Sequence, residues 1–160
     1  MKQFLVCLLV VLVLALSSFA QSNVSNIYAA GVSYNNSASP QVAGTALYAR
    51  LISDGSGTYA FSVFDALPQS THPFTITSNV GAGIAQKLFN ISGVSFYVPT
   101  SAGISFTGAN TGWQWNTGLL ASIHLKNSWR VMPNVRVIKS SVSGGSGYQP
   151  VVGILIGWGQ

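Results

Sequence analysis

Residues 151–160 read VVGILIGWGQ. Val152, Ile154, Ile156 and Trp158 share one parity, and Val151, Gly153, Leu155 and Gly157 share the other. A strand sends successive side chains to opposite faces, so each parity is one face. One face of this segment is bulky and apolar, and the other is mostly small. Almost no charge lies nearby, so the bulky face needs apolar surroundings.

The same two-residue period runs back along the chain, where a helix would space apolar residues three and four apart. Tyr28, Ala30, Val32 and Tyr34 oppose Ala29, Gly31 and Ser33. Ala43, Thr45, Leu47, Ala49 and Leu51 oppose Gly44, Ala46, Tyr48 and Arg50. After the turn signal Asp54-Gly55-Ser56-Gly57, Tyr59, Phe61 and Val63 oppose Ala60, Ser62 and Phe64. Phe74, Ile76, Val80, Ala82 and Ile84 oppose Thr75, Thr77, Asn79, Gly81 and Gly83. Three more segments follow, led by Phe96–Phe106, Trp113–Leu125 and Val131–Ile138, before the closing strand. The pattern predicts about eight strands, with Pro99 and Pro133 weakening the two that hold them.

Composition narrows the setting. Only 6% of the 160 residues are charged, against roughly 25% in soluble domains. There is no glutamate, and the carboxylate side chains are Asp54 and Asp65. A chain that is 48% hydrophobic and 11% aromatic is not disordered. Lys2, the apolar run Phe4–Leu16 and the small residues Ser18 and Ala20 describe a secretory signal over residues 1–20, cut before Gln21. The run is shorter than the roughly 20 residues that span a bilayer as a helix. Removing twenty residues, one lysine among them, from a 160-residue chain of charge +5 leaves a 140-residue domain, 21–160, of charge +4. Cys7 leaves with the signal, so the remaining domain has no thiol or disulfide.

Alternation alone does not say which face points inward. In a soluble sandwich the bulky faces pack between two sheets; in a membrane barrel they meet lipid and the small faces fill the lumen. An eight-stranded barrel has room inside only for side chains, and the whole bulky set would overfill it. Aromatic placement favours the membrane. With the chain ends on the periplasmic side, Tyr28, Tyr59, Phe96, Trp129 and Trp158 fall near one rim, and Tyr34, Phe74, Phe106, Trp113, Trp115 and Tyr148 near the other. Asp54–Gly57 and Lys126–Ser128 would be periplasmic turns; Asn35–Gln41, Leu67–Pro73 and Ser140–Gly147 would be external loops.

The signal, the alternating segments and the closing pattern Tyr148-x-Pro150-x-Val152-x-Ile154-x-Ile156-x-Trp158 resemble the small eight-stranded outer-membrane barrels of the OmpA/OmpX-like class. The resemblance implies an antiparallel up-and-down all-β barrel whose first and last strands pair. It implies a final strand read by the barrel-assembly machinery. Here the chain departs from the pattern by running past Trp158 to Gln160. Placement in an outer membrane, a structural, envelope-stabilising or surface-interaction role and contact with membrane lipid, including lipopolysaccharide, follow as expectations for a monomer. The competing reading is a secreted soluble β-protein, either a binding module or a subunit of an extracellular polymer.

Chemistry is sparse. The small faces offer Arg50, Asn79, Gln114, Asn116, His124, Asn134 and Arg136 as lumen residues. In the resembled class lumen arginines are often balanced by carboxylates, but Asp54 lies in a turn and Asp65 has bulky-face parity. A hydrolase of the lipid-modifying kind would need His124 oriented by an acid, and none is placed for it. His72 and His124 without cysteine or a carboxylate pair make no metal site. The expectation is a non-enzyme with no cofactor. The basic residues are scattered, which argues against nucleic acid. Ser143–Gly147 lacks the lysine and helix of a phosphate loop and reads as flexible.

Overall fold

The computed structural model describes residues 26–35, 41–53, 56–69, 75–108, 110–125, 127–141 and 148–159. The signal segment, Asp54, Lys126, His72, Phe74 and most of the three external loops lie outside them. The strands are β1 (Asn26–Asn35), β2 (Gln41–Ser53), β3 (Thr58–Gln69), β4 (Thr75–Ile91), β5 (Val94–Thr107), β6 (Asn110–His124), β7 (Trp129–Ser140) and β8 (Tyr148–Gly159). Each pairs antiparallel with its neighbours in chain order, and β8 returns to β1 to close a barrel. The opening and closing strands pair from Ile27↔Gly159 to Asn35↔Val151. One closed sheet replaces the two packed layers of a sandwich and leaves no open edge.

We call the end holding Asn26 and Gly159 the terminal end and the opposite one the loop end. At the terminal end, β4 and β5 turn on Ser92 and Gly93 alone, both with positive φ (50° and 83°). Two left-handed residues match the twist of a tight hairpin. Glycine adopts this conformation without the clash a Cβ introduces. Gly93→Ala is expected to cost about 1–2 kcal/mol through that clash, measured as a lower urea midpoint for the folded barrel.

The two prolines sit where one ladder is interrupted. Pro99 pairs with Ala85 on β4, but the β5–β6 register skips from Tyr97↔Leu120 to Thr100↔Thr117. Pro133 pairs with Ile154 on β8, while the β6–β7 register skips from Leu120↔Asn134 to Ile123↔Val131. A residue without an N–H is tolerated where the ladder has a gap.

On six strands the bulky parity points outward. Val32, Val135, Ile154 and Ile156 are each about half exposed (54%, 53%, 47% and 56%). On β2 and β3 the faces are reversed. Tyr59, Phe61 and Val63 are buried inside, joined by Leu47 and Leu51 from β2, while Phe64 and Tyr48 stand outside. With Ile27, Ala29, Ala49, Tyr97, Met132 and Leu155 they form an apolar plug filling the terminal half of the lumen. Tyr59 and Tyr97 meet edge to face at 5.7 Å.

Glycines opposite make this possible. Phe61 faces Gly83 across the ladder, and Val63 faces Gly81. Leu155 faces Gly31, and Arg136 faces Gly118. Large-against-small pairing lets a narrow barrel hold a few bulky groups without overpacking. At Gly83 a Cβ would drive into the Thr100 backbone of β5.

Candidate functional site

Above the plug the lumen becomes polar. Asp65 on β3 and Arg136 on β7 meet across it from opposite walls of the barrel, with three strands between them in either direction. Arg136 Nη1 donates to Asp65 Oδ2 at 3.1 Å and Nη2 to Oδ1 at 2.9 Å. Nη2 also donates to Ser33 Oγ at 3.3 Å. The hydroxyls of Ser33 and Thr45 lie 2.8 Å apart, and Thr45 donates to Asp65 Oδ1 at 2.6 Å. Because the Thr45 proton goes to Asp65, Ser33 must donate to Thr45. A closed ring of hydrogen bonds therefore runs Arg136 to Ser33 to Thr45 to Asp65 and back. All four side chains are almost wholly buried.

This corrects the sequence expectation that the lumen lacks a carboxylate. Asp65 shares the parity of Tyr59, Phe61 and Val63, which bulk alone assigns to the outer face. The whole face points inward, and Asp65 goes with it. Arg50 is the converse correction. It pairs with Asn26 and Ala60 and shares the outer face with Tyr48, two residues before it. Tyr48 in turn lies against Tyr28 (centroids 5.1 Å apart). Pairing with β1 decides the matter, because partners in a ladder share a face.

The other expected lumen residues lie as follows. Asn79, Gln114, Asn116 and Asn134 are buried inside. Asn79 Oδ1 accepts from Ser105 at 2.6 Å. Both amide atoms of Gln114 and of Asn116, with Ser101 Oγ, are buried and have no hydrogen-bond partner among the described residues. His124 has inward parity but sits exposed at the terminal mouth, where the charges of Arg130 and Lys87 act on it.

No nucleophile–base arrangement forms from these groups. Ser122 precedes His124 by two residues on the same face, yet its buried Oγ makes no hydrogen bond. Asp65 is committed to Arg136. Among the described residues no group of His, Cys, Asp or Glu could hold a metal ion.

Aromatic rings mark both outer rims. At the terminal end Tyr28, Trp129 and Trp158 are exposed, with Tyr28 and Trp158 stacked at 6.5 Å and Phe96 against Phe89 at 4.8 Å. At the loop end stand Tyr34, Phe106, Trp113, Trp115 and Tyr148, with Trp115 and Tyr148 edge to face at 6.2 Å. Tyr59 is the exception, since it points into the plug. Tyr48 and Phe89 belong to the terminal rim, and reading strands singly misses them. The signal lies in cross-strand pairing, which puts Tyr48 opposite Tyr28.

No family model and no curated protein matches the chain. Solved structures do. Neisserial surface protein A is 10% identical with a TM-score of 0.69, over 86% of this chain and 97% of that one. A major outer membrane protein from Thermus thermophilus is 7% identical with a TM-score of 0.67, over 87% and 100%. The fold is that of the small eight-stranded outer-membrane barrels. The outer membrane enzyme PagL shares it too, at 9% identity and a TM-score of 0.51 over 84% and 98%. The barrel shape thus accompanies both enzymes and proteins described only by their place in the membrane, so its function must be argued from its own residues.

Proposed function

We propose that this chain is a small outer-membrane barrel with a structural, envelope-stabilising or surface-interaction role, made with a signal over 1–20 and folding as one domain over 21–160. The supporting observation is the combination of an apolar exterior with a filled interior. A half-exposed belt of valine and isoleucine is suited to hydrocarbon. The terminal half of the lumen is filled by the plug, around a residual cavity of about 30 Å³, and the polar half above it is crossed by the Asp65–Arg136 pair. Such an interior gives stiffness and no conduit.

The partners follow from the exterior. Tyr28, Phe96, Trp129 and Trp158 at one rim, and Tyr34, Phe106, Trp113, Trp115 and Tyr148 at the other, act as interfacial anchors. The terminal end faces the periplasm, and β8 carries the alternating strand read by the assembly machinery. At the loop end the Lys139 ammonium lies 5.0 Å from the Tyr148 ring and 6.0 Å from Trp113. A cation held on two aromatic faces suits a lipopolysaccharide phosphate. The barrel works as a monomer and needs no cofactor.

The test is fractionation of a double-membraned host, followed by denaturing electrophoresis with and without boiling. The expected result is recovery with the outer membrane and a band that shifts on heating. Recovery in the soluble fraction with no shift refutes the reading. Planar-bilayer recordings are expected to show no conductance steps. Ile154→Arg, in the middle of β8 and facing outward, is expected to lower stability in lipid by about 2–4 kcal/mol, measured by urea titration of vesicle-inserted protein.

A further inference from the structure

Three basic side chains converge on the terminal mouth of the lumen. Lys87 lies on the inward parity of β4, opposite Tyr97 of the plug in the β4–β5 ladder. His124 ends the inward face of β6, and Arg130, the first inward residue of β7, lies directly opposite it. Partners in a ladder share a face. Glycines shape the places of both cations. A Cβ on Gly57 would lie 2.8 Å from Lys87 Cδ, and one on Gly159 would lie 3.5 Å from Arg130 Nε. The Lys87 stem is therefore laid over the β2–β3 turn and Arg130 over the end of β8, and both are only partly exposed. The charges of both act on His124, so the three groups share one electrostatic site.

No described acid balances them. Asp65 is buried against Arg136 in the other half of the lumen, and Asp54 lies outside the described residues. Arg130 Nε is buried with no hydrogen-bond partner. Ser122, the inward residue of β6 before His124, is also buried with its hydroxyl unpartnered. The floor beneath is apolar. Tyr97 belongs to the plug, and so does Met132, which follows Arg130 on the inward face of β7. Like charges over a low-dielectric floor repel one another unless an anion joins them. The same plug makes this mouth a cup open on one side, not a passage.

We propose that the cup is a phosphate-binding site, which takes a small phosphate monoester from the aqueous compartment at the terminal end. Lys87 supplies a compact charge and Arg130 a fork of N–H donors. The His124 imidazole adds an N–H donor in either protonation state. Two fixed charges match a phosphate monoester, at about −1.5 to −2 near pH 7, better than they match one carboxylate. Lipid phosphate is a poorer match, because the three groups face the lumen while acyl chains lie outside the sheet. That the compartment is the periplasm rests on the membrane reading above; the site itself rests on the barrel.

The folded barrel in zwitterionic detergent, titrated with inorganic phosphate at constant pH and ionic strength, tests the proposal. The imidazole proton resonances are followed by NMR, with His124 assigned by its loss in His124→Asn. A saturable shift of His124 is expected, with His72 unmoved; acetate gives a much weaker response and chloride none. Arg130→Gln and Lys87→Gln are each expected to weaken binding about tenfold, the loss of one charge-assisted contact. Lys139→Gln, at the opposite end, leaves it unchanged. The two weakening variants lie on separate strands, so the test stands if one of them fails to fold. A heat-shifted band from each variant shows that the barrel is intact and that a weaker titration reports the site. The same titration is expected in nanodiscs of phosphatidylcholine with or without phosphatidylglycerol. No saturable shift, equal binding by all variants, an equal response to acetate, or a titration lost in phosphatidylglycerol overturns the site. So does binding that appears only in Asp54→Asn, since the chain's own carboxylate then fills the cup. An unmutated protein that is soluble and shows no heat shift refutes the membrane reading instead.

Discussion

Asp65→Asn lowers the unfolding free energy of the barrel by about 3–5 kcal/mol, the penalty for leaving one partner of a buried ion pair uncompensated. Urea titration of vesicle-inserted protein, followed by tryptophan emission, measures it. The size follows from what Asp65 holds. It accepts two hydrogen bonds from Arg136 and one from Thr45, and no other described carboxylate can take its place. Asparagine keeps the shape but offers one acceptor oxygen and no charge, so the Arg136 guanidinium is left buried without a counter-ion. Thr45→Val opens the ring while leaving the ion pair, and is expected to cost only about 1–3 kcal/mol. The double variant Asp65→Asn/Arg136→Met removes both charges and is expected to recover much of the loss. If Asp65→Asn proves as mild as Thr45→Val, the pair does not hold the lumen together.

The same pair shows where reading the sequence succeeded and where it did not. Period-two alternation located all eight strands, and the closing of β1 on β8 followed from the edge problem. The faces of β1, β4, β5, β6, β7 and β8 were legible because bulk and smallness separate cleanly there, as with Val152, Ile154 and Ile156 against Gly153 and Gly157. They were not legible on β2 and β3. The rule that bulk faces lipid holds for the barrel as a whole, since the lumen cannot contain every large side chain. It fails locally where glycines such as Gly81 and Gly83 on the next strand make room. That information lies in cross-strand register, which a single segment does not carry. Arg50, Tyr59 and Asp65 were misplaced for this one reason, and the ion pair was missed with them. The turn at Ser92–Gly93 was also missed, because β4 continues past a bulge between Lys87 and Phe89 that breaks the period near the strand end.

Phe61→Ala tests the reversal directly, since Phe61 and Phe64 lie three residues apart on β3 and face opposite media. Phe61 is 6% exposed and belongs to the plug; Phe64 is 41% exposed on the outer belt. Truncating Phe61 removes a buried ring from a site bounded by Gly83 and the plug. The surrounding backbone is held by two ladders and cannot collapse into the space. A loss of about 3–5 kcal/mol is expected. Truncating Phe64 exposes the same area to lipid chains, which fill the gap, so its cost in vesicles is expected to be much smaller. The two variants, compared by the same urea titration, give the ratio that matters. A dominant Phe61 effect assigns the bulky face of β3, and Asp65 with it, to the lumen. A dominant Phe64 effect would turn β3 over, carry Asp65 to the outside, and remove the ion pair with it.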